Sequence, residues 1–79
     1  MKNIEEYAEE VTKSAGIHRG DPNEKIIHET IYSIMGRHGF VTPESLLRYQ
    51  RRISNNIYQN TNARLASKVV PHLSSVLKK

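Results

Sequence analysis

Two short segments fix where helices begin in this chain, and they constrain its fold more than anything else in it. Asp21-Pro22-Asn23-Glu24 offers a side-chain acceptor at the N-cap, a proline at N1 with no amide donor to waste, and a glutamate at N3. Thr42-Pro43-Glu44 repeats that entry chemistry, with Thr42 as cap and Pro43 at N1. After the first start, Ile27, Ile31, Ile34 and Met35 recur at helical spacing. This helix is drawn over 22–38, with Gly39 as its C′ residue and Gly36 as a point of fraying.

The remaining segments read the same way. Ile4, Tyr7, Ala8 and Val11 mark an amphipathic helix whose other face carries Glu5, Glu6, Glu9 and Glu10, with Asn3 and Glu6 as its capping pair. A connector from Gly16 to Gly20 ends it. The helix entered at Thr42 aligns Leu46, Tyr49, Ile53 and Ile57 within about 40° of one line, and is read as continuous through Gln59. Asn60-Thr61-Asn62 is a poor helix interior and a good cap, so a break is placed there. Leu65, Val69, Leu73 and Val76 give a last helix, with a kink or break expected near 67–71 because Pro71 cannot donate to Ser67. No strand is legible. The expectation is an all-α fold, a compact bundle of three principal helices plus a kinked C-terminal helix, in one domain over 1–79.

Size limits what such a bundle can do alone. A chain of 79 residues buries only roughly 60% of the surface it exposes when unfolded. Without cysteine it has no disulfide and no thiolate zinc site. Homodimerisation is therefore a live expectation. No run approaches the roughly 20 apolar residues of a membrane span, and Met1 to Glu6 lacks an apolar signal-type run. A soluble cytoplasmic protein with no membrane partner is expected.

Charge supplies the functional clue. No acidic residue follows Glu44, while residues 45–79 hold seven Lys or Arg; residues 1–36 hold four basic groups against seven acidic ones. On the third helix, Arg48, Arg51, Arg52, Asn55, Tyr58 and Gln59 gather opposite the apolar line, and Asn62, Arg64 and Lys68 continue the pattern. Arginine pairs bidentately with phosphate or guanine edges, Asn and Gln match adenine edges, and tyrosine stacks on a base or bonds a phosphate. The face is read as free of carboxylates. Arg48, Arg51, Arg52 and Lys68 are the expected phosphate contacts, and Asn55, Gln59, Asn62 and Arg64 the expected base readers. Lys78 and Lys79 are read as a basic end outside this face.

A helix-turn-helix is permitted in two versions. One uses the second and third helices; the other uses 43–52 as support, Ser54-Asn55-Asn56 as turn and 57–70 as reader. The expected function is a small regulatory protein that binds DNA or RNA. The rivals are an adaptor or inhibitor that binds an acidic protein surface or uses its acidic first helix, a structural subunit of a larger assembly, and a basic face serving only solubility. The acidic first helix could also dock on the basic face, within the chain or in a second copy. Enzyme activity is not expected, because the serines lack an elbow motif and the glycines form no phosphate loop. His18, His28, His38 and His72 include no i, i+4 pair, so no metal or cofactor is expected.

Overall fold

The first helix, α1 (Ile4–Ser14), begins where Asn3 closes a reciprocal cap. Asn3 Oδ1 accepts the Glu6 amide at 2.8 Å, and its Nδ2 donates to Glu6 Oε1 at 2.8 Å. The computed structural model describes residues 2–78, so Lys79 lies outside the described residues. At its other end α1 stops in a Schellman turn. The Ile17 amide donates to the Thr12 carbonyl and the Gly16 amide to that of Lys13, with Gly16 at φ +78°.

The Asp21 entry opens α2 (Pro22–Met35), with Asp21 Oδ1 accepting the Asn23 amide at 2.8 Å. Glu24 reaches back to the Gly20 amide at 3.3 Å. The helix ends three residues before the expected position 38. Gly36 sits at φ +91° and ψ 168°, a conformation almost confined to glycine, so the chain leaves the helix there and not at Gly39.

The freed segment forms β2 (Phe40–Val41), antiparallel to β1 (Lys2–Asn3), with Lys2 opposite Val41 and Asn3 opposite Phe40. The Ile4 amide adds a bond to the Gly39 carbonyl at 3.1 Å. The absence of strands read from the sequence is thus corrected by one short ribbon. Two residues per strand are too few to show a period.

Next come α3 (Pro43–Asn60) and α4 (Ala63–Ser75), joined only by Thr61 and Asn62, with a short 3₁₀ turn over Val76–Lys78 after them. Of the kink or break expected near 67–71, a break is absent, since α4 runs through Pro71. Ser67 and Pro71 are both exposed, so the carbonyl that Pro71 cannot serve lies on the solvent side of α4. The continuous α3 also removes the helix-turn-helix version with a turn at Ser54-Asn55-Asn56.

Each helix packs on two others: α1 on α2, α2 on α3, α3 on α4, and α4 back on α1. The result is the all-α bundle expected, with α1 and α3 at diagonal corners. Its centre holds Tyr7 and Val11, Ile27 and Ile31, Ile53 and Ile57, and Val69 and Leu73. Tyr7 closes the ring by donating its hydroxyl to the Leu73 carbonyl at 2.6 Å. Two threonines, Thr12 and Thr30, are buried among the apolar side chains. Each donates to a carbonyl of its own helix, that of Ala8 or of Ile26, which removes the cost of burying a hydroxyl.

Candidate nucleic-acid interface on α3 and α4

The candidate interface is built on α3. Thr42 and Ser45 form a capping box: Thr42 Oγ1 accepts the Ser45 amide at 3.1 Å, and Ser45 Oγ accepts the Thr42 amide at 2.9 Å. Leu46, Ile53 and Ile57 are buried and Tyr49 is half-buried, so the expected line is the one facing the core. Eighteen residues at about 1.5 Å each give a rod of roughly 27 Å.

The opposite side of that rod is the expected polar face. Arg48, Arg51, Arg52, Asn55, Tyr58 and Gln59 are all exposed. Among the described residues the ion pairs are Lys2–Glu10 and Arg37–Glu29, so no carboxylate holds any of the three arginines. The face is not wholly free of acid. Glu44, one turn before Arg48, shares it by helical spacing and is exposed, without an ion pair to Arg48. This corrects the carboxylate-free reading at its N-terminal edge.

Arg64 and Lys68 are exposed on α4, one turn apart. Between them Ser67 Oγ lies 3.4 Å from the Tyr58 hydroxyl, so Tyr58 joins the solvent faces of α3 and α4. Asn62 serves the fold: its Oδ1 caps α4 by accepting the Leu65 amide at 2.9 Å. A bidentate contact to adenine needs both the oxygen and the nitrogen of an amide, so Asn62 is left with half of one. Asn55 and Gln59 keep both side-chain amide atoms free of hydrogen bonds within the described residues.

Two exposed apolar side chains escaped the sequence reading. Leu47 is 80% exposed and Phe40 is 62% exposed. The signal for Leu47 was present, because helical spacing sets it about 120° from the Ile53 line, beside Arg48 and Arg51. Phe40 carried none beyond the alternation of a two-residue strand.

The acidic residues of α1 and α2 beside Tyr32 occupy a separate surface. Tyr32 on α2 has its hydroxyl pKa pushed up, first by burial and then by Glu5, with Glu9 and Glu29 adding; Arg37 opposes them. The Arg37 guanidinium lies over the Tyr32 ring at 4.7 Å and pairs with Glu29 at 3.4 Å. Nearby, His28 Nε2 lies 3.0 Å from Thr12 Oγ1. No group of three His, Asp or Glu side chains suited to a metal ion occurs among the described residues.

A four-helix bundle that presents one basic, amide-bearing helix is the class these features define. Comparison with family models, curated proteins and solved structures finds no match to this chain. Among the described residues no helix is long and apolar enough to cross a membrane.

Proposed function

We propose that the chain is a small regulatory protein that binds nucleic acid through the solvent face of α3, extended by Arg64 and Lys68 of α4. One observation carries this reading. Three arginines stand unpaired on a continuous, capped helix beside two free side-chain amides, Asn55 and Gln59. Arginines left without carboxylates are available to phosphates, and the amides beside them can meet base edges. Leu47 adds an apolar contact of the kind that meets sugar or a thymine methyl. The protein-binding alternative draws on the same exposed Leu47, together with Phe40, and salt dependence separates the two.

Binding of random duplex and single strands is to be followed by fluorescence anisotropy across a salt series. If Arg48, Arg51, Arg52 and Lys68 each neutralise one phosphate, log K falls against log salt with a slope near −3.6 on duplex DNA. That corresponds to roughly 150-fold between about 50 and 200 mM salt. Replacing Arg51 and Arg52 together with Gln lowers the slope by about 1.8 and leaves helicity unchanged. Absence of binding to any strand at about 50 mM salt overturns the proposal.

A further inference from the structure

Glu5, Glu6 and Glu9, followed one turn on by Lys13, line the exposed face of α1, and among the described residues none of the four lies in an ion pair. Arg48, Arg51 and Arg52 on α3 are equally unpaired. Because α1 and α3 sit at diagonal corners of the bundle, these two faces point away from each other. The acidic face therefore cannot dock on the basic one within a single chain. It can reach that face only in another copy.

The two triads also match in geometry. Each covers four residues of rise, about 6 Å, and about 100° of helix surface. Their spacings are mirror images: i, i+1, i+4 for the glutamates, and i, i+3, i+4 for the arginines. Laid antiparallel, α1 of one copy sets Glu9 opposite Arg48 of the next, and the Glu5–Glu6 pair opposite Arg51 and Arg52. Leu47, 80% exposed beside Arg48 and Arg51, would be covered by the same contact.

We infer that the chain associates head to tail, the acidic face of α1 in one copy seated on the basic face of α3 in another. Such an interface is heterologous and leaves a free acidic face at one end and a free basic face at the other. Growth continues unless a ring closes. Exposed ion pairs are individually weak, so the association depends on salt and on protein concentration. It uses the α3 face assigned to nucleic acid, but it is measured with no nucleic acid present and so stands or falls separately from that reading.

Sedimentation equilibrium of the whole chain tests this. Wild type should exceed its 9.1 kDa monomer mass at about 10 mM salt, where the screening length is about 30 Å, and return to it at about 1 M, where it is about 3 Å. Two neutralised variants, Glu5→Gln/Glu6→Gln/Glu9→Gln and Arg48→Gln/Arg51→Gln/Arg52→Gln, should each stay monomeric at low salt with unchanged helicity. Mixed in equal amounts they should form a 1:1 complex and grow no further, since each supplies one intact face. Register is tested by exchange of a single pair. Glu9→Arg or Arg48→Glu alone should weaken assembly, and the two together in one chain should restore it. A wild-type monomer at low salt, neutralised variants that assemble like wild type, or a double exchange that fails to recover would each overturn the inference.

Discussion

Tyr7→Phe is the sharpest probe of how the ring of helices is closed. The Tyr7 side chain is fully buried, and its hydroxyl donates to the Leu73 carbonyl at 2.6 Å. Leu73 lies in the last turn of α4, which ends at Ser75, so no amide four residues on completes the helical ladder for it. Phenylalanine fills nearly the same volume but leaves that carbonyl without its partner. The cost of an unsatisfied buried acceptor is about 1–3 kcal/mol, and a domain of this size loses about 4–8 °C of Tm per kcal/mol. At about 2 kcal/mol the expected fall is about 8–16 °C in thermal unfolding followed by far-ultraviolet circular dichroism. Tyr58→Phe is the control. Its hydroxyl is exposed and 3.4 Å from Ser67 Oγ, so a change within about 0.5 kcal/mol is expected.

The same substitution has a pH signature. Burial pushes the Tyr7 phenol above the ordinary tyrosine value of 10.0, so the folded chain keeps a proton that the unfolded chain releases. Stability from this group is intact below pH 10 and falls as pH rises beyond it, by up to about 1.4 kcal/mol per pH unit. Phenylalanine has no such loss, so the gap between wild type and variant should narrow above about pH 10. A variant that melts within about 2 °C of wild type at neutral pH would refute the closing role of the bond.

The other structural predictions concern the core and the exit of α2. Ile57→Ala removes a fully buried side chain where α3 meets the core and should cost about 2–5 kcal/mol by urea unfolding, a large share of a small domain's stability. Gly36→Ala makes no clash, the nearest neighbour being the His38 carbonyl oxygen at an ordinary 3.9 Å. Any loss there comes from the backbone alone, about 1–3 kcal/mol, and is to be read by the same unfolding assay.

What was legible in the sequence is what is decided within three or four residues. Asn3, Asp21 and Thr42 announce their helices because each bonds an amide two or three positions ahead. The Leu46, Ile53 and Ile57 line was readable because helical spacing alone aligns it. What was not legible depends on residues far apart. The ribbon pairs Asn3 with Phe40 across most of half the chain, and the Tyr7–Leu73 bond spans 66 positions. The choice between Gly36 and Gly39 as helix end also belongs here, since the Gly39 carbonyl is taken by the Ile4 amide. At the candidate interface the residue types were readable and their competing duties were not. Asn62 looks like Asn55 in the sequence, but its oxygen caps α4.

The charge pattern changes meaning most when folded. Along the chain it is a gradient, acidic before residue 37 and basic after Glu44. In the bundle its acidic and basic ends fall on the diagonal helices α1 and α3, and the local pairs Lys2–Glu10 and Arg37–Glu29 neutralise four of the remaining charges. The narrowest dimension of the molecule is 21 Å, more than twice the screening length of about 8 Å at physiological salt. The acids of α1 therefore do little to weaken a polyanion held on α3, and a net charge of +4 understates the field such a partner meets. Poles that cannot neutralise each other within one chain remain available to partners, whether a phosphate backbone or the next copy.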